Sequence, residues 1–231
     1  MPAPVIVALD LESAAEANAL VKRLGAEADH YKVGLQLLAE AGPQVVTSLV
    51  RSGKHVFLDL KLHEIPNSVA GAIRAAGKLG VSMVTVHASA GSAVMRAAVA
   101  SAKPFPQLKV LALTVITSLC DTDLPEIGLP ASVEAQVMRL ASLAALSGCH
   151  GVVASAREAA YLSNLLPKGT LIVCPGIQLA QGTATDQVRV ATPQDAASAG
   201  ATHIILGRAI TAAPDPAASF RAALAAFRDG A

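Results

Sequence analysis

Residues 55–68 read HVFLDLKLHEIPNS. The run opens as an apolar, β-branched strand and then places Asp59, Lys61 and Glu64 within six positions. Asp59 and Lys61 stand two apart, and on a strand such residues share a face. Charges of alternating sign at the end of a buried strand admit two readings: a structural ion pair, or the working part of an enzyme. The rest of the chain decides between them.

Similar short apolar runs recur along the whole sequence. They are VIVALD (5–10), HYKVG (30–34), HVFLDLK (55–61), MVTVHA (83–88), KVLALTVI (109–116), GVVAS (151–155), LIVCPGI (171–177) and HIILGR (203–208). Between them lie alanine-rich segments such as SAAEANALVKRLG (13–25) and SVEAQVMRLASLAALSG (132–148), apolar at helical spacing and stopped by a glycine. Near-continuous apolar strands alternating with helices read as a parallel sheet covered on its outside. Eight such units fit a compact α/β fold, a (β/α)8 TIM barrel near the lower end of the usual ~250 residues. A doubly wound open sheet is the rival. No linker or composition break interrupts residues 1–231, so a single domain is expected.

Composition narrows the function classes. Hydrophobic residues make up 53% of the chain and charged residues 15%, which excludes disorder and requires a large core. The net charge of +1, with acids and bases mixed, leaves no electrostatic footprint for nucleic acid or an anionic membrane. Cys120, Cys149 and Cys174 are odd in number and lack CxxC spacing, as suits free thiols in a reducing compartment. The opening MPAPVIVALDLES is too short and too soon charged for a signal peptide or a spanning helix, so a cytoplasmic location is expected.

The polar residues show where to look. Asp10, Lys32, Asp59, Lys61, His87, Thr117, Ser155 and Arg208 fall at or just beyond the C-terminal ends of the expected strands. In a barrel those ends converge on one mouth, where active sites sit. Lys32, ending the neighbouring strand, would complete a row of Lys, Asp, Lys. Each cation then favours the charged form of the carboxylate beside it, against the desolvation that would neutralise both. Such a row is a weak stabiliser, which favours a working role. A second site is expected at ILGRAI (205–210), because the loops after the last two barrel strands commonly bind phosphate. The polar loop GIQLAQGTATDQ (176–187) could fold over the same anion.

These residues carry a resemblance. FLDLKLHEIPNSV (57–69) resembles the signature of the orotidine 5′-monophosphate decarboxylase family, close to DLKxHDIPNTV. ALD (8–10), KVG (32–34), LTVITS (113–118), PGI (175–177), DQVRVATPQDA (186–196) and GRAIT (207–211) follow in order, so the likeness covers nearly the whole chain. It implies a cofactor-free, metal-free decarboxylation of the nucleotide orotidine monophosphate to uridine monophosphate. It also implies a homodimer with the active site at the subunit interface. Lys61 would match the proton donor to ring carbon six, with Lys32 and Asp59 as the next members of a Lys–Asp–Lys–Asp network. Glu64 stands at the fourth position, an aspartate in the family that reaches into the neighbouring subunit's site. Asp10 would match a ribose contact, Ser68 a threonine near the ribose, and Thr117 a residue at the pyrimidine. Gln187, Gly207 and Arg208 would match contacts around the phosphate, and 176–187 a lid.

Three positions depart from the family pattern. Glu64 replaces aspartate, Ser68 replaces threonine, and Gln178 stands where PGIR would place arginine. Serine keeps the hydroxyl. Glutamine gives up a cation near an anionic substrate, and weaker binding is expected. The extra methylene of Glu64 implies either a compensating loop shift or a slow enzyme. Rival readings are a non-catalytic nucleotide-binding barrel and a metal-dependent sugar-phosphate decarboxylase or aldolase. A Schiff-base aldolase would need a neutral Lys61, which flanking acids oppose. The zincin motif HExxH fails because Asn67 occupies the second histidine's place. His63 and His87 are expected to make structural hydrogen bonds only.

Overall fold

The computed structural model describes residues 5–179 and 189–231. Eight parallel strands close into a barrel in sequence order. They are β1 (Val5–Ala8), β2 (His30–Gly34), β3 (His55–Leu62), β4 (Met83–His87), β5 (Lys109–Leu113), β6 (Gly151–Val153), β7 (Leu171–Cys174) and β8 (His203–Leu206). Closure is made by β1 against β8, with Val5, Ile6 and Val7 opposite Ile204, Ile205 and Leu206. That pairing rules out the open doubly wound sheet.

Helices cover the outside: α1 (Ala14–Leu24), α2 (Leu35–Ala41), α3 (Gln44–Arg51), α4 (Pro66–Leu79) and α5 (Ser92–Ala102) in the first half. The second half adds α6 (Val133–Leu146), α7 (Ala156–Leu165), α8 (Pro193–Ser198), α9 (Arg208–Thr211) and α10 (Pro216–Gly230). Their starts are encoded locally. Ser13, Ser132 and Ser155 each accept a hydrogen bond from a first-turn backbone N–H of α1, α6 and α7. Thr192 and Asp195 form a reciprocal capping box on α8, and Pro66, Pro193 and Pro216 open their helices, where a missing N–H costs nothing.

The strands divide their side chains between two cores. Val5 and Val7, Tyr31 and Val33, Val56 and Leu58, and Val84 and Val86 pack outward under the helices. Ile6, Ala8, Phe57, Met83, Leu111, Leu113, Val153, Val173 and Ile205 fill the lumen. Alternation therefore points Lys32, Asp59 and Thr85 into the barrel, toward its C-terminal end. Lys32 is in the middle of β2, two residues short of its end, so its long side chain runs up the lumen to the mouth.

Strand β3 departs from the regular geometry expected of it. Phe57 and Leu58 pair with Met83 and Val84, but the next pair is Leu62 with Val86. Three residues, Asp59, Leu60 and Lys61, thus face Thr85 alone, which is a bulge. Lys61 takes up the slack with φ 51°, the one non-glycine left-handed backbone among the described residues. Alternation still puts Asp59 and Lys61 on one face; the bulge decides that Lys61 stands beside Thr85 and not further along β4.

Candidate active site

At the barrel mouth four charged side chains link in a line of alternating sign. Lys32 Nζ donates to Asp10 Oδ1 at 2.9 Å and to Oδ2 at 3.2 Å. It also lies 3.7 Å from Asp59 Oδ2, and that oxygen accepts from Lys61 Nζ at 2.8 Å. The side chains of Asp59 and Lys32 are only 9% and 10% exposed, while Lys61 and Asp10 at the two ends are 36% and 49% exposed. The inner carboxylate and ammonium have little water around them and are met instead by opposite charges on both sides. The outer two are available to a ligand.

Two neutral residues set this geometry. Thr85, fully buried on β4, accepts from the Lys61 backbone N–H at 2.8 Å and donates its hydroxyl to Asp59 Oδ1, also at 2.8 Å. One side chain thus fills the gap left by the bulge. Two hydrogen bonds at about 1 kcal/mol each are comparable with the ~1–2 kcal/mol of a left-handed non-glycine backbone. Gly34 pairs with Asp59 across β2 and β3. A Cβ there would stand 2.9 Å from Asp10 Oδ1 and 3.1 Å from Lys32 Nζ, so the absent side chain makes room for the pair.

The line of charges forms the floor of a cavity of about 600 Å³, within the range of small-molecule sites. Thr117 lines it from the loop after β5, Gln178 from the loop after β7, and Gly207 and Arg208 from the β8–α9 junction. Eight expected site residues therefore converge: Asp10, Lys32, Asp59, Lys61, Thr117, Gln178, Gly207 and Arg208. Glu64 and Ser68 do not line this cavity. They lie past the end of β3, at the exposed head of α4, where Glu64 accepts from the Ile65 backbone N–H at 2.8 Å. Ile65 between them is 61% exposed. Gln187, and the expected lid from residue 180 onward, lie outside the described residues.

Behind the cavity wall is a buried ion pair that the motifs did not reveal. Arg189 Nη1 donates to Glu158 Oε1 at 2.6 Å, and Nη2 donates to the carbonyls of Val115 and Ile116 at 3.2 and 3.1 Å. Those carbonyls immediately precede Thr117. Ala191, two residues on, exchanges backbone hydrogen bonds with Gly176 and Gln178. Arg189 thus ties the β5 loop to the β7 loop, two walls of the cavity. Burial raises the Glu158 carboxyl above its ordinary range, and the guanidinium works against that shift. The available signal was a glutamate on the apolar face of α7, four residues before Leu162.

The histidines divide between the two ends of the barrel. At the mouth, His63 and His87 stack with ring centroids 5.2 Å apart, and His87 Nδ1 is held by Ser89. Burial first, then His63 and Lys61, lower the pKa of His87 and favour its neutral form. At the opposite end His30 stacks on His55 at 4.5 Å, and His203 is buried beside Thr202. Among the described residues no three His, Cys, Asp or Glu side chains gather in a way that could hold a metal ion. No described helix is long and apolar enough to cross a membrane.

The arrangement can hold an anionic ligand over a proton-bearing ammonium that has a carboxylate beside it. Known proteins match this chain along nearly its whole length. The profile described as "Orotidine 5'-phosphate decarboxylase / HUMPS family" matches residues 3–223. A protein of Laribacter hongkongensis named orotidine 5′-phosphate decarboxylase is 49% identical over 222 residues, 95% of this chain and 90% of the relative. One of Marinomonas with the same name is 45% identical, covering 93% of this chain and 92% of its own. The crystal structure of orotidine 5′-phosphate decarboxylase from Lactobacillus acidophilus superposes with a TM-score of 0.86 at 36% identity, covering 97% and 98% of the two chains.

Proposed function

The chain belongs to the orotidine 5′-phosphate decarboxylase / HUMPS family, and we propose that its barrel mouth converts orotidine 5′-monophosphate to uridine 5′-monophosphate and CO2 without a cofactor. It is a carbon–carbon lyase of pyrimidine biosynthesis. The observation that carries the mechanism is the Asp10–Lys32–Asp59–Lys61 line on the cavity floor.

The chemistry sets the requirement. Breaking the bond from ring carbon six to its carboxylate leaves an electron pair in the plane of a ring that cannot delocalise it. Stabilisation must then be electrostatic and already in place. The Lys61 ammonium lies beside that carbon, stabilises the developing charge, and passes one Nζ proton to it as CO2 departs. Lysine regains its proton from solvent, so each turnover consumes one proton. Asp59 repels the substrate carboxylate, and this repulsion eases as CO2 leaves uncharged. Lys32 holds Asp59 from the other side and contacts the ribose together with Asp10.

Thr117 reads the pyrimidine. Gly207 and Arg208, with Gln178 and Gln187, surround the phosphate. Because the phosphate is remote from the breaking bond, its binding energy is available for positioning the reacting end. Glu64 and Ser68 serve the partner's site across a homodimer interface. Their exposure beside Ile65, outside their own cavity, supports that assignment. The enzyme works as a single domain in the cytoplasm.

The deciding experiment follows the absorbance of orotidine monophosphate after adding purified protein, with a chelator present and Lys61→Ala alongside. Turnover that survives the chelator and disappears in the variant is expected. No turnover by the wild-type chain, with uridine monophosphate still binding, would replace this reading with a non-catalytic nucleotide-binding barrel.

A further inference from the structure

We propose that Thr85 is a positioning residue for the reaction, pinning the β3 bulge so that Lys61 and Asp59 confront the same point of the cavity. The inference rests on the decarboxylase reading above. No substrate contact is assigned to Thr85; it acts through its two partners.

The geometry leaves the hydroxyl little freedom. A threonine hydroxyl has one donor and two acceptor positions. Here the acceptor side takes the Lys61 backbone N–H and the single donor goes to Asp59 Oδ1, both at 2.8 Å. The proton on Thr85 thus fixes which face of Asp59 is occupied. Oδ1 is turned to β4, and Oδ2 is left to Lys61 at 2.8 Å and Lys32 at 3.7 Å. The accepted N–H bond fixes the backbone from which the Lys61 side chain springs, at φ 51°.

The two bonds of this hydroxyl span the bulge that sets three residues of β3 opposite one residue of β4. A regular ladder continued from Leu58 and Val84 would set Lys61 opposite His87 instead of beside Thr85. Lys61 would keep its face but be displaced along the barrel axis, away from the point that Asp59 confronts. Thr85 is fully buried, so no water stands ready to replace its hydroxyl from bulk.

The test compares two variants at one site. Thr85→Val keeps the shape and removes both hydrogen bonds; Thr85→Ser keeps the hydroxyl and removes a methyl group. Thr85→Val is expected to lower kcat by about 10²-fold, the scale of a ~1 Å misplacement of a reacting group. Its Kd for uridine monophosphate, which lacks the departing carboxylate, should change less than threefold. Thr85→Ser is expected to recover kcat to within about threefold of wild type. A purely structural residue would instead reduce the folded fraction and leave kcat per folded molecule intact, so melting curves are recorded for each protein.

Should Thr85→Val fail to fold, Thr85→Cys, with its weaker donor, is expected to lose about tenfold in kcat. Wild-type kcat in Thr85→Val, or in Thr85→Cys where valine does not fold, overturns the inference. Failure of Thr85→Ser to recover activity overturns it as well. Absence of turnover in the wild-type chain is a different result and removes the decarboxylase reading itself.

Discussion

Gly34→Ala isolates the geometry of the charged line from its chemistry. The backbone at Gly34, φ −97° and ψ −173°, is open to any residue, so alanine enters without strain. Its methyl would sit 2.9 Å from Asp10 Oδ1 and 3.1 Å from Lys32 Nζ. Ordinary carbon contacts are nearer 3.5–4.0 Å, so the carboxylate must withdraw by roughly half an ångström and the ammonium by somewhat less. Both atoms end flexible side chains, and the fold can yield there. The Asp10–Lys32 contact at 2.9 Å cannot be kept while both ends retreat, and Lys32 is the group that holds Asp59 from behind.

A displacement of that size in groups acting on the reacting end is expected to lower kcat/KM by about tenfold, or ~1.4 kcal/mol, and by no more than ~10²-fold. Stability should change little, since losing a glycine from the unfolded chain contributes ~0.4–1 kcal/mol in the opposite direction. The assay is steady-state decarboxylation of orotidine monophosphate beside a thermal melt. If kcat/KM stays within twofold of wild type, the tight spacing around Gly34 has no bearing on catalysis and the reasoning fails.

Three further outcomes are expected. Burial, followed by His30, lowers the pKa of His203 to about 4 from its ordinary 6.5, so the unfolded chain takes up a proton that the folded chain refuses. Stability from this group is complete above pH 6.5 and is lost as the pH falls toward 4, by about 3 kcal/mol. Denaturant titrations from pH 7 to 4 should show a shallower loss in His203→Gln than in wild type, and parallel curves would refute the assignment. Gln178→Arg should lower KM for orotidine monophosphate by about tenfold with kcat unchanged, because a charge-assisted hydrogen bond to an anion is gained; an unchanged KM would argue against it. Glu64→Asp should raise the turnover number, by up to ~10²-fold; an unchanged value would mean that the loop already takes up the extra methylene.

The barrel was legible because its signals are local. Runs such as VIVALD and HIILGR are apolar on both faces, and capping residues such as Ser13 and Thr192 stand where their helices begin. The charges in 55–68 could be read as a functional group because so few charges occur among so many apolar residues. Gathering Asp10, Thr117 and Arg208 around them needed only the rule that strand ends of one barrel share a mouth, while Gln178 was singled out by the family resemblance.

What the local pattern could not contain is anything set by the neighbouring strand. Period-2 reasoning put Asp59 and Lys61 on one face, and they do meet there, but how far along β4 Lys61 stands is set by a bulge bonded to Thr85, 24 and 26 positions away. Arg189 reads as one more polar residue in DQVRVATPQDA, yet it closes on Glu158 and on carbonyls 73 and 74 positions earlier. Sequence by itself determined the order of strands and helices, the buried faces, and which residue types reach the mouth, since propensity and periodicity act over a few residues. Tertiary structure alone decided the register of β3 on β4, the left-handed Lys61 and the clasp behind the cavity. Those depend on hydrogen bonds that exist only once distant strands are side by side.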